Sequence, residues 1–186
     1  MADYKDIKGG TVQNFAGDPP APIAGQVWYD STAIAFQYRS SNPAGSWASG
    51  NDLNTGRGQL SGSGIQTAAL AFLGYTDGDY TPSAIVESYN GTSWSEIADL
   101  NTARRSAGAT GTSTSSLAFG GLTGIPGIKA LAESWDGSSW TEVGDLNTAR
   151  YAASGFGADN TSALYFGGST PPDARMGQVE TWNGST

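Results

Sequence analysis

A six-residue phrase occurs three times in the chain, as Asp52-Leu53-Asn54-Thr55-Gly56-Arg57, Asp99-Leu100-Asn101-Thr102-Ala103-Arg104 and Asp145-Leu146-Asn147-Thr148-Ala149-Arg150. The copies lie 47 and 46 residues apart, and a tryptophan precedes each by five positions, at Trp47, Trp94 and Trp140. A repeat of this length restricts the fold to solenoids, propellers and arrays, because one supersecondary unit cannot bury its apolar face alone.

Each period reads as four short strands, a to d. In the clearest copy, Arg104 leads into a run of small residues from Arg105 to Gly111, which is strand a. A turn at Thr112-Ser113-Thr114 gives strand b, Ser115 to Gly121, and a variable loop leads to strand c, Ala130 to Trp135. The dipeptide Asp136-Gly137 then turns the chain into strand d, Ser139 to Val143. The same turn recurs as Asn90-Gly91 and Asn183-Gly184. Asn-Gly and Asp-Gly favour tight hairpins, and a type I′ turn is expected because its two central residues need positive φ. Strand b recurs as Leu70-Ala71-Phe72, Leu117-Ala118-Phe119 and Leu164-Tyr165-Phe166. Strand a is small in every copy, as a position crowded by neighbouring repeats requires.

An aromatic strand followed by Gly120-Gly121 or Gly167-Gly168, a further aromatic at Tyr89, Trp135 or Trp182, a tryptophan five residues on, and an arginine opening the next unit together resemble the kelch repeat. The first copy departs from it, with Leu73-Gly74 in place of the glycine pair. The resemblance covers residues 47–186 and implies an all-β fold of kelch-like β-propeller blades, four-stranded and antiparallel, about 46–47 residues each. Two blades are full and two partial, fewer than the four to eight of a closed propeller. Further blades in the same chain, or several chains contributing a few blades each, would close it. The chain stops at Thr186, one residue short of the next strand d tryptophan, so the register predicts that the protein continues.

Before the repeats, residues 1–23 are polar and turn-rich and end in a proline-containing run, read as an extended attachment arm. Residues 24–46 read as a β-hairpin, with two β-rich runs flanking Asp30-Ser31-Thr32. Its segment Gly25-Gln26-Val27-Trp28-Tyr29-Asp30-Ser31-Thr32 resembles a hairpin near the start of many bacteriophage virion proteins. That resemblance implies attachment to a particle through this region, for which Tyr4, Val12, Phe15, Trp28 and Tyr29 are the candidates. Strand Ile34 to Arg39 is also expected to serve as strand c beside Trp47, tying the hairpin to the first blade.

Composition narrows the chemistry. The chain has no cysteine and no histidine, which removes thiolate catalysis and the commonest general base and metal ligand. A net charge of -8 disfavours nucleic acid and anionic membrane surfaces as partners. The N-terminus lacks an apolar signal-peptide core, and no run is long enough to span a bilayer. No cofactor, metal or catalytic site is expected.

Arg57, Arg104 and Arg150 recur with the scaffold, so they are expected to pair with the aspartate five positions earlier or with backbone carbonyls between blades. Glu87, Glu133 and Glu180 recur once per period too, which argues against a glycosidase pair, since catalytic groups have no reason to repeat with the frame. The segment Ser134 to Trp140 resembles a sialidase Asp box only superficially, because its glycine directly follows the aspartate. The sequons at Asn90, Asn160 and Asn183 lack a signal peptide, and two coincide with hairpin turns.

The b to c loops share almost nothing, and loops on a rigid frame are the usual carriers of recognition. Their candidates are Tyr75, Asp77, Asp79 and Tyr80 in the first, Ile125 and Pro126 in the second, and Pro171, Pro172 and Arg175 in the third. The expected function is therefore a non-enzymatic virion structural protein on the particle exterior, a homo-oligomeric tail fibre or receptor-binding fibre. Residues 1–46 would contact other virion proteins, and the loops a host surface glycan or protein. A capsid decoration protein, a polysaccharide depolymerase with its catalytic part downstream, and a cellular kelch interaction module are the rivals.

Overall fold

The computed structural model describes residues 13–21, 26–38, 47–124, 127–172 and 174–185. The chain divides into two units, Met1–Ser49 and Gly50–Thr186. Every regular element among the described residues is a β-strand.

The first unit holds β1 (Gln13–Phe15), β2 (Val27–Asp30) and β3 (Ala35–Tyr38). β2 and β3 form the expected hairpin, with Asp30 opposite Ala35, and β1 joins β2 in parallel. Asp30 organises the turn: its Oδ1 accepts the N–H groups of Gly17, Thr32 and Ala33. Those bonds, that from Ala33 foremost, hold its carboxyl below the usual aspartate range against the opposing effect of burial.

The second unit repeats one design. β4 (Ser61–Ile65), β5 (Ala68–Phe72), β6 (Val86–Tyr89) and β7 (Trp94–Glu96) make a four-stranded antiparallel sheet in sequence order. β8 (Gly108–Gly111), β9 (Ser116–Phe119), β10 (Ala132–Trp135) and β11 (Trp140–Val143) make a second. The third sheet has three strands, β12 (Ser154–Asp159), β13 (Ser162–Phe166) and β16 (Val179–Trp182). A two-stranded ribbon of β14 (Ser169–Thr170) and β15 (Ala174–Arg175) fills the loop between β13 and β16.

Small residues in the first strand of each sheet have a direct cause. A Cβ on Gly108 would stand 2.5 Å from the rings of Phe119 and Tyr165, and one on Gly155 would stand 2.5 Å from Phe119 and 2.6 Å from the Ala109 carbonyl. β8 thus packs between β4 and β12, with no room for a side chain at Gly108 or Gly155. Just before these strands, Ser106 N–H donates to Gln59 O at 3.0 Å and Ala152 N–H to Ser106 O at 2.9 Å. All three residues hold φ between 50° and 53°, so one left-handed position per repeat links the sheets.

Apolar side chains fill the spaces between sheets. Leu70, Phe72, Val86 and Leu100 of the first repeat meet Ala118, Trp135 and Trp140 of the second, with Phe72 edge-on to Trp140 at 5.1 Å. Leu117, Phe119 and Ala132 meet Ala163, Tyr165 and Trp182 in the same way.

Three sequence expectations are corrected. In the hairpin turns only the glycine is left-handed, as with Gly91 at 92°, Gly137 at 97° and Gly184 at 81°. That is the type II′ pattern, stabilised because Asn90 and Asp136 accept the next backbone N–H groups through their side chains. Trp47, expected in a strand beside β3, lies outside any strand with its side chain fully exposed at 103%. β3 is instead paired to β2, whose short Asp30-centred turn gives it a local partner. Trp28 is a buried residue, so it is not a surface for attachment. Tyr29 packs edge-on against Phe36 at 5.3 Å, Phe15 is half-buried, and Tyr4 and Val12 lie outside the described residues.

Candidate functional site

The repeated arginines are internal struts. Arg57 pairs with Glu87 at 2.9 Å, Arg104 with Glu133 at 2.8 Å and Arg150 with Glu180 at 2.5 Å, and all three arginine side chains are wholly buried. Carbonyls of the same sheet take further guanidinium hydrogens: Arg104 Nη1 donates to Gly120 O at 2.9 Å and to Leu131 O at 2.7 Å. Burial lowers the Arg104 pKa, and Glu133 opposes that shift. The expected partner, the aspartate five positions earlier, is not used. Asp99 instead accepts Val86 N–H at 3.2 Å, because the guanidinium points into the sheet while the aspartate stays with the connector.

The second oxygen of each glutamate ties down the connector. Asn54, Asn101 and Asn147 donate their backbone N–H to Glu87, Glu133 and Glu180 at 2.7, 2.7 and 2.6 Å. Burial would raise the Glu180 pKa, but the bonds from Asn147 and Arg150 lower it overall. Both carboxylate oxygens are therefore committed to the frame, and none of the three glutamates is placed to attack or protonate a ligand. The sequon residue Asn160 is similarly engaged, donating to Ser134 Oγ and Trp135 O.

The β5–β6 loop gathers aromatic and charged side chains into one cluster. Tyr75 is fixed first: its backbone pairs with Gly58, and the absent Cβ of Gly58 makes room for the ring, since such an atom would stand 2.5 Å from Tyr75 Cζ. Tyr80 tilts against Tyr75 at 4.7 Å and remains half exposed. Asp77 shapes the tip, because its Oδ1 accepts the N–H groups of Thr81 at 3.0 Å and Asp79 at 3.2 Å. The Thr81 N–H contributes most to holding the Asp77 carboxyl below its ordinary pKa. Asp79 is exposed.

Arg105 reaches this loop from the next repeat. Its guanidinium carbon lies 5.4 Å from the centre of the Tyr80 ring, and Nη1 donates to Gln59 Oε1 at 2.7 Å. Ser106 Oγ donates to the same Gln59 oxygen at 2.8 Å. Arg105 is buried, held by the Tyr80 ring and the Gln59 amide, and its Nε has no partner among the described residues. The structure thus unites Tyr75, Asp77, Asp79 and Tyr80 with three residues not expected there, Gln59, Arg105 and Ser106. A signal for Arg105 was present: Gly58 and Tyr151 occupy its position in the other repeats.

The other loops do not join this cluster. Pro171, Pro172 and Arg175 are exposed on the β14–β15 ribbon, whereas Ile125 and Pro126 lie outside the described residues. No group of three acidic, histidine or cysteine side chains able to hold a metal occurs among the described residues.

No family model and no curated protein matches the chain. Among solved structures, that of YjhT superposes with a TM-score of 0.58 at 14% sequence identity. The match covers 82% of this chain and 47% of that one, so the chain spans about half the length of this neighbour. At that identity the likeness is one of fold, an all-β arrangement with four-stranded antiparallel sheets.

Proposed function

We propose that the sheets are blades of a kelch-like β-propeller and that the chain is a non-enzymatic recognition protein of a bacteriophage virion, in the manner of a tail fibre. Residues 1–46 attach it to other virion proteins, and the loop side of the propeller meets a host surface glycan. The propeller reading rests on the repeat register, on the contact of each first strand with the next, and on the likeness of fold to YjhT. The virion reading rests on the N-terminal hairpin motif.

The observation that carries recognition is the half-exposed Tyr80 ring, packed against Tyr75 and with the Arg105 guanidinium over it. An aromatic ring suits the C–H face of a pyranose, while the Asp79 carboxylate offers an acceptor and the Gln59 amide nitrogen a donor to its hydroxyls. The frame supplies the rigidity, because the repeated ion pairs hold Glu87, Glu133 and Glu180 in fixed places. The test is retention of the purified chain on an array of bacterial surface polysaccharides. Binding lost in Tyr80→Ala, with the fold intact by circular dichroism, is the expected result. No retention of the parent chain overturns the reading, and shortening of a bound polysaccharide replaces it with a depolymerase.

A further inference from the structure

Arg105 is a buried cation whose charge the protein leaves unanswered. Only 7% of the residue is exposed. The three arginines that recur with the repeat are each buried against a glutamate, but among the described residues no carboxylate pairs with Arg105. Of its guanidinium donors, Nη1 meets Gln59 Oε1 at 2.7 Å, while the buried Nε meets nothing among the described residues. A guanidinium is costly to take out of water, and a neutral amide with an aromatic ring offsets that cost only in part. Nor does the frame require a cation here, because the equivalent positions of the other repeats hold Gly58 and Tyr151.

The group that meets Arg105 is a side chain free to leave. Gln59 is exposed, and its Oε1 also accepts Ser106 Oγ at 2.8 Å in a bond at the protein surface. This one oxygen therefore stands between a cationic N–H and a hydroxyl, a donor pair suited to an oxyanion. An amide oxygen carries only a partial charge, so a carboxylate or phosphate oxygen in its place is held more strongly by the same two donors. The Tyr80 ring, 5.4 Å from the guanidinium carbon, lowers the local dielectric and strengthens the pairing further. Asp77 and Asp79 lie in the same loop and the chain carries a net charge of -8, so the protein does not draw anions from a distance. Selectivity arises at contact, from one desolvated guanidinium.

We propose that Arg105 and Ser106 form an oxyanion subsite for a charged sugar. A carboxylate or phosphate oxygen on the polysaccharide displaces Gln59 Oε1 and binds between Arg105 Nη1 and Ser106 Oγ, while Tyr80 packs on the sugar ring that bears it. The proposal rests on the recognition reading above and narrows it from glycans in general to acidic ones. In the free protein Gln59 is an internal cap, and binding exchanges its neutral oxygen for a charged one. The exchange gives Arg105 the counter-ion that Glu87, Glu133 and Glu180 give the other three arginines.

The polysaccharide array tests this when each polymer is presented in three forms, native, carboxyl-reduced and dephosphorylated. For the parent chain, the protein concentration giving half-maximal retention should rise about tenfold or more on one treated form. The treatment that does so identifies the anion. Arg105→Gln should retain native and treated forms equally weakly. Gln59→Glu supplies the carboxylate from within, so it should raise the melting temperature and lose retention on the native polymer. Should Arg105→Gln fail to fold, Gln59→Glu, which leaves Arg105 in place, decides the matter. Retention indifferent to both treatments, or a Gln59→Glu variant with the melting temperature and retention of the parent, would overturn the subsite. The two readings fail separately: retention indifferent to charge removes the subsite and leaves glycan recognition standing, whereas no retention of any polysaccharide removes both.

Discussion

Arg104 and Glu133 meet at 2.8 Å with both side chains buried, and the second Glu133 oxygen holds the Asn101 backbone N–H at 2.7 Å. One carboxylate therefore joins the connector that enters the sheet to the strand at the centre of it. Such a pair is expensive to desolvate, so its presence is weak evidence of stability in itself, but breaking it strands a charge.

Glu133→Gln keeps the shape and removes the charge opposite Arg104. The expected loss is about 3–5 kcal/mol of unfolding free energy, read from the urea midpoint. Glu142→Gln, on the exposed face of the same sheet, should change it by less than about 0.5 kcal/mol. Equal effects from the two variants would remove the strut role.

The repeat, the strand order and the places of the hairpin turns were legible in the sequence, because each is local and recurs, whereas the turn type was not, since it depends on which residue takes the positive φ. The arginine's partner was not, since Glu133 lies 29 residues beyond Arg104 and nothing in a linear scan joins them. Constant separation held the clue: the three pairs are 30, 29 and 30 residues apart. Trp47 failed for a different reason. Its signature matches Trp94 and Trp140, but a strand exists only where another strand pairs with it, and a signature records the role without the partner. Arg105 was hidden by regularity itself, as the departure of one copy from its repeats is visible only once the repeats are aligned.

Leu73 stands where the other repeats have Gly120 and Gly167, and it adopts the same left-handed backbone, φ 64° against 68° and 73°. It is fully buried in the core between the first two sheets. Leu73→Gly relieves roughly 1–2 kcal/mol of backbone strain but removes a buried leucine whose truncation costs about 2–5 kcal/mol. The net should be destabilising by about 1–3 kcal/mol in thermal or urea unfolding. The reverse exchange, Gly120→Ala, should also destabilise, since its Cβ would stand 2.6 Å from the Arg150 carbonyl.

Asp136 anchors the β10–β11 turn with a pKa lowered to about 2, the Ser139 backbone N–H contributing most and Ser138 next. A carboxyl whose folded pKa is depressed stabilises fully above its unfolded value of 3.8 and loses that contribution as pH falls through about 2. Melting temperature followed from pH 5 to pH 2 should therefore fall less steeply in Asp136→Asn than in the parent. The fold itself should survive, because Asn90 and Asn183 make the same turn in the other repeats. An identical acid limb in the variant would show that Asp136 is not titrating against the turn.

Arg105 stands apart from the ion-pair frame. Its neighbour Arg104 bonds inside the sheet, whereas Arg105 crosses to Gln59 and Tyr80 of the preceding repeat. Removing it releases a cation–π contact worth about 0.5–2 kcal/mol and one hydrogen bond, and leaves every ion pair of the frame in place. Arg105→Ala should lower stability by no more than about 2 kcal/mol, while amide exchange across residues 75–81 accelerates and polysaccharide retention falls. Arg105→Lys keeps the charge over the ring but not the planar fork toward Gln59, so it should restore the slow exchange only in part. If Arg105→Ala instead costs as much stability as Glu133→Gln, Arg105 belongs to the frame and not to the β5–β6 loop.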